Sequence, residues 1–195
     1  MSRVASIKRE TAETKIALNL NLDGTGKAVV DSGIGFFDHM LNLMTAHGLL
    51  DLELRCDGDL EVDGHHSVED IGIALGDAFK EAIGDKKGIC RYGTFYLPMD
   101  EALAFVTLDI SGRPFLVYDG GEMAPMVGGF DTELTEEFLR AFAVHAGITL
   151  HVKILYGTNT HHKIEAIFKA LGHALRIAVS NDPKVTGVPS TKGML

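Results

Sequence analysis

The sequence predicts an internally duplicated α+β fold, each half a four-stranded sheet with two helices on one face. Three observations carry that prediction. Residues 65–83 recur at 161–179, an offset of 96, with nine of the nineteen positions identical, among them His65, His66 and Glu69 over His161, His162 and Glu165. The stretch before each copy also repeats, now at an offset of 98: His39 falls on Glu137, Leu41 on Leu139, Met44 on Phe142 and His47 on His145. The order strand, strand, helix, strand, helix then appears twice. Two halves, residues 1–92 and 93–195, are expected to form one unit, because packing them together hides apolar surface that neither buries alone.

In chain order, residues 14–22 alternate Ile16, Leu18, Leu20 and Leu22 with polar neighbours, the period of a half-buried strand. Asp23-Gly24-Thr25-Gly26 reads as a turn and residues 27–31 as its hairpin partner. Phe36, Phe37, Met40, Leu41 and Met44 fall at helical spacing, with Gly48 as the expected stop. Leu50, Leu52, Leu54 and Cys56 predict a strand, a polar loop leads to His65, and residues 67–83 predict an amphipathic helix. In the second half, 91–98 reads as a short edge element, 102–110 as a strand, 111–114 as a turn and 115–118 as its return. Residues 120–129 read as a loop rich in Gly and Met, 132–146 as a helix, 148–155 as a strand and 164–180 as the closing helix. From Asn181 a tail carries Pro183 and Pro189.

Composition narrows the function. The chain has 195 residues, 46% hydrophobic and 23% charged, with a net charge of −9. An acidic balance argues against nucleic acid as the main partner, while a small anion needs only a local cluster of cations. Two cysteines, Cys56 and Cys90, make neither a disulfide framework nor a metal spacing. Residues 1–15 lack an apolar core of the signal-peptide kind, and no apolar run approaches the roughly 18 residues of a membrane span. The expectation is a soluble, cytoplasmic protein with no membrane partner.

The doubled His-His-x-x-Glu is the chemical signal. Residues four apart on a helix stand nearly in line, so His65 with Glu69, and His161 with Glu165, can each grip one ion. His66 and His162 then point toward a second. His39 is a further candidate, and its repeat partner Glu137 is also able to ligate. Imidazole and carboxylate without thiolate suit Mn, Fe, Ni or Zn in an open catalytic site. His47 ends its helix, where a cation favours the dipole. His173 sits about 120° round from His161 and reads as a surface or supporting residue; His145 and His151 read as structural.

Several segments together carry a resemblance: Phe37-Asp38-His39-Met40-Leu41, Asp63-Gly64-His65-His66-Ser67-Val68-Glu69-Asp70, Pro98-Met99-Asp100-Glu101-Ala102, Asp109-Ile110-Ser111-Gly112-Arg113-Pro114, Asn159-Thr160-His161-His162 and Pro189-Ser190-Thr191-Lys192-Gly193. They resemble the imidazoleglycerol-phosphate dehydratase family of histidine biosynthesis over nearly the whole chain, at the length of its monofunctional form. The resemblance implies a hydro-lyase that turns imidazole glycerol phosphate into imidazole acetol phosphate with two divalent ions per site, Mn2+ in the family. It also implies a 24-subunit shell built from trimers, with metal sites between subunits. The implied metal ligands are His39, His65, His66, Glu69, His161, His162 and Glu165, with Glu137 where the family pattern has a histidine. Substrate contacts carried over are Glu13, His39, His47, His65, Glu69, Arg91, Arg113, His161, Lys169, Ser190, Thr191 and Lys192, and catalytic roles fall to Glu13, Glu69 and Glu165.

The chemistry constrains the site further. The departing proton sits on a carbon without an adjacent carbonyl, so the imidazole ring is the electron sink, which a Lewis acid at a ring nitrogen assists. Glu13 is the first acid/base candidate, followed by Asp100 and Glu101. Two other readings compete: a dinuclear metal-dependent phosphate-ester hydrolase, which would release phosphate, and a storage or assembly protein whose ions are purely structural.

Overall fold

The structure, a computed structural model, describes residues 3–193 and residue 195. The first half runs β1 (Val4–Glu10), β2 (Thr14–Asn21), β3 (Ala28–Asp31), α1 (Gly35–Gly48), β4 (Asp51–Gly58) and α2 (His65–Ile83). The second runs β5 (Tyr92–Met99), β6 (Ala102–Asp109), β7 (Phe115–Asp119), the small hairpin β8 (Met126–Val127) and β9 (Phe130–Asp131), α3 (Leu134–Ala146), β10 (Thr149–Tyr156) and α4 (Thr160–Val179). The main sheets have matching orders, β1-β2-β4-β3 and β5-β6-β10-β7. Each half therefore has the four strands and two helices its sequence predicts.

Two local expectations give way, and one strand carried no signal. Residues 27–31 are not the hairpin partner of β2: β4 inserts between them, and β3 runs parallel to β4, with Ala28 opposite Leu52. Parallel neighbours need a crossover, and α1 supplies it. The same holds for β7, which pairs in parallel with β10 rather than returning along β6. β1 was not signalled by the sequence as a strand, because as an edge strand it buries one side chain fully, Ala5. α1 does end at Gly48, as expected, but the left-handed capping residue is Leu49, φ 51°.

Gly48 also lets helices meet. α1 packs on α4 and α2 on α3, so each helix contact joins the two halves. A Cβ at Gly48 would lie 3.3 Å from the Gly172 carbonyl oxygen. On the other seam, a Cβ at Gly72 would come within 2.8 Å of Ala141 Cβ, and one at Gly76 within 2.6 Å of His145 Cβ. These glycines bring backbones, and with them the side chains at the helix starts, into register. Within one continuous core, Phe138 of α3 stacks on Phe168 of α4, and Phe37 of α1 meets both edge-on. Among the described residues, no helix is long and apolar enough to cross a membrane.

Candidate metal centre and anion cavity

The first turn of α4 is built by Asn159, whose side-chain oxygen accepts from the His162 backbone N–H and caps the helix. The helix thus starts at Thr160, four residues earlier than its apolar pattern suggests, and includes both histidines. One turn separates His161 from Glu165, and Nε2 stands 3.0 Å from Oε2. Across the α1–α4 seam, His39 Nε2 reaches the same oxygen at 3.5 Å. The other Glu165 oxygen is ion-paired with Lys169, one further turn along. Burial pushes the Glu165 carboxyl up, but Lys169 and His161 outweigh it and hold the group below the usual carboxylate range. His39, His161 and Glu165 each offer a donor atom, all within 4.8 Å of one another.

The repeat-related group is looser. His65 Nε2 and Glu69 Oε2 stand 4.0 Å apart, both side chains more than 40% exposed. The side chain of Glu137, half-buried on α3, has no hydrogen bond or ion pair among the described residues, while its backbone N–H donates to the Glu133 carbonyl. The set His39, His161 and Glu165 is the only three-donor group found among the described residues.

The second histidine of each motif has its Nδ1 held by a carboxylate. His162 Nδ1 donates to Glu101 Oε2 at 2.7 Å, and His66 Nδ1 to Asp59 at 3.0 Å. A carboxylate accepts only, so each ring carries its proton on Nδ1 and presents Nε2 outward. These hydrogen bonds raise both imidazole pKa values. Glu101 is depressed in turn, by His162 first and then by the Asn159 and Thr158 N–H groups. Glu13 Oε1 lies 3.7 Å from His66 Nε2, and Asp100 Oδ2 lies 3.8 Å from His162 Nε2.

Farther along the helix seams, His47 Nδ1 and His173 Nε2 are 3.2 Å apart, and the His173 ring stacks on Phe95 at 4.1 Å. The repeat-related position holds His145 Nδ1 donating to Asp77 at 2.9 Å. The 120° offset correctly turned His173 away from His161; it turns it onto α1.

A separate cavity of about 650 Å³ gathers Arg91, Arg113, Ser190, Thr191 and Lys192. Arg91 is nearly buried and donates twice to Asp109, at 2.6 and 3.0 Å, and to the Pro189 carbonyl at 2.7 Å, which anchors the tail. Arg113 lies 3.9 Å from the same Asp109 and stays exposed, as does Lys192. Asp59 and Asp109 received no role in the sequence reading, whereas His173, read there as a surface or supporting residue, pairs with His47. The two aspartates sit in or beside loops where no periodicity marks them.

These donors are nitrogen and oxygen without thiolate, converging where helices of two repeats meet, and they fit a divalent cation. Fold and site together define a metal-dependent enzyme that also carries an anion cavity at the other end of α4, where the Arg91 N–H donates to the Ala178 carbonyl. The sequence model for imidazoleglycerol-phosphate dehydratase matches residues 32–175. A relative of that description from Clostridium botulinum (strain Kyoto / Type A2) is 61% identical over 192 residues, 98% of each chain. The crystal structure of the enzyme from Staphylococcus aureus superposes with a TM-score of 0.84 at 44% identity, covering 92% of this chain and 99% of that one. IGPD from Pyrococcus furiosus, in complex with (S)-C348, also reaches 0.84, at 36% identity over 97% and 100% of the two chains. The chain belongs to the imidazoleglycerol-phosphate dehydratase family.

Proposed function

We propose that His39, His65, His66, Glu69, Glu137, His161, His162 and Glu165 hold two divalent ions, Mn2+ by family resemblance, and that Arg91, Arg113, Ser190, Thr191 and Lys192, at the other end of α4, form a phosphate site. The reaction is the family's dehydration of imidazoleglycerol phosphate to imidazole acetol phosphate in histidine biosynthesis, a hydro-lyase step. The observation that carries the reading is the shared Glu165 oxygen, which faces His39 at 3.5 Å and His161 at 3.0 Å.

A bound ion supplies Lewis acidity at the substrate's imidazole ring. Arg113 and Lys192, exposed in the cavity, take the phosphate, while Arg91 holds Pro189 and so sets the tail that carries Ser190 and Thr191. Lys169, ion-paired with Glu165, and His47, paired with His173, contact the substrate in keeping with the family resemblance. Glu13 moves the proton: its carboxylate stands beside His66 with no hydrogen bond to its own oxygens among the described residues. Glu101 cannot take that role, since its oxygens already serve His162, Thr158 and Asn159. A phosphate-ester hydrolase has no observation in its favour.

A 24-subunit shell of trimers, with ions between subunits, is supported by the first-half donors. His65 and Glu69 do not close on Glu137 within one chain, so a neighbouring copy completes the set. The halves 1–92 and 93–195 work as one unit, in keeping with their common core. Residence in the cytoplasm agrees with two free thiols, Cys56 and Cys90. Metal analysis of purified protein, combined with an assay for imidazole acetol phosphate, tests the whole reading. Metal with ketone product is expected; phosphate release, or full turnover without metal, would overturn it.

A further inference from the structure

We infer that Asp59 is a positioning residue that releases Glu13 for proton transfer by taking over the holding of His66. The inference rests on the proposed role of Glu13 and extends it to a residue outside the ligand set.

The argument comes from comparing the two repeats. Strand register aligns Leu20 with Leu108, through their partners Leu52 and Leu150, and this places Glu13 of the β1–β2 turn on Glu101 of the β5–β6 turn. In the second half that turn glutamate is fully engaged. Glu101 accepts from the backbone N–H groups of Thr158 and Asn159, at 3.0 and 2.7 Å, and from His162 Nδ1. By the same symmetry Glu13 would hold His66 Nδ1. It does not, because Asp59 occupies that place at 3.0 Å, and Glu13 is left facing the opposite ring nitrogen at 3.7 Å.

The second repeat has no carboxylate for this job: the bulge between Ile154 and Tyr156 shifts the register by one, so Gly157 lies over Gly58 and Thr158 over Asp59. Asp59 also fixes the turn itself, since its backbone N–H donates to the Glu13 carbonyl at 3.2 Å. The Glu13 N–H donates to Thr11 Oγ1 at 3.2 Å, and Thr14, beside it, is bonded to buried Asp70. One residue thus holds the ring with its side chain and the turn with its main chain. Without the carboxylate, His66 is free to swing Nδ1 toward Glu13, which then falls into the engaged arrangement of Glu101.

A double-mutant cycle in the full-length, metal-loaded enzyme tests this, with kcat measured at saturating substrate and metal for wild type, Asp59→Ala, Glu13→Gln and the double variant. Thermal unfolding is followed in parallel. Asp59→Ala is expected to lower kcat at least tenfold in the wild-type background and less than threefold when Glu13 is already Gln, because coupled residues are not additive. An equal factor in both backgrounds, or a loss under threefold in the wild type, would overturn the inference while leaving Glu13 in its role. Wild-type turnover in Glu13→Gln would overturn the reading of Glu13, and the inference with it. If Asp59→Ala does not fold, Asp59→Ser keeps the main-chain contact with too short a side chain to hold the ring, and the same outcomes decide.

Discussion

His39, on a first-half helix, directs Nε2 to within 3.5 Å of Glu165 on a second-half helix. The duplicated halves therefore share a site through a seam, and close helix contact at Gly48 and Gly172 makes that possible. Glu165→Gln removes the oxygen that faces both His39 and His161 and leaves Lys169 without its partner. Ion affinity is expected to fall at least tenfold, with turnover falling in step, read by equilibrium dialysis and activity on the same sample. Glu69→Gln should lose metal and activity together, whereas Glu13→Gln should keep its metal and lose mainly turnover.

The two cavity arginines should separate in their effects. Arg113→Ala removes an exposed cation, so KM is expected to rise about tenfold or more while the melting temperature stays within a degree or two. Arg91→Ala leaves Asp109 in a half-buried place without its bidentate partner and loosens the tail at Pro189. It should cost about 1–3 kcal/mol of stability as well as affinity. Steady-state kinetics beside denaturant unfolding distinguishes the two.

The helix seams give a packing prediction. Gly76→Val drives a branched side chain into His145 Cβ and the Ala146 backbone nitrogen. Overpacking of this kind costs typically about 1–3 kcal/mol, more where backbone must move. Urea unfolding measures it, and a substitution without effect would show the α2–α3 contact to be looser than described.

Burial, then Lys169, lowers the pKa of His47; burial, then His47 and Arg176, lowers that of His173. With folded values below the unfolded ones, the unfolded chain takes up protons first as pH falls. Stability from this pair is present above the unfolded histidine value of about 6.5 and lost as pH falls through the folded values. In metal-free protein, the melting-temperature difference between wild type and His173→Gln should shrink as pH drops from 7.5 to about 5.5, as read by a thermal scan. A constant difference would show that the pair does not titrate with folding.

Much of this was legible in the sequence, for a physical reason: duplication repeats chemistry as well as pattern. The offset of 96 exposed His65, His66 and Glu69 with His161, His162 and Glu165, and alternation exposed β2, β4, β6 and β10. Parallel pairing of β3 and β7 was hidden, because a short strand beside a turn looks the same whether it returns on its neighbour or waits for a crossover. Edge strand β1, with one fully buried side chain, carries almost no periodic signal. Asp59 was hidden too, since it meets His66 through loop geometry that no spacing rule encodes. The seam that pairs α1 with α4 instead of α2 is a tertiary choice, visible afterwards in the small residues Gly48 and Gly172.

The central claim is that ions held by the paired histidine and carboxylate groups are required for dehydration. The direct measurement is turnover of imidazoleglycerol phosphate by chelated protein, before and after graded addition of Mn2+. Stripped protein is expected to form no imidazole acetol phosphate, and activity should return in proportion to metal bound, reaching a plateau at two ions per site. Undiminished turnover in fully stripped protein, or Glu165→Gln binding and turning over as wild type does, would contradict it.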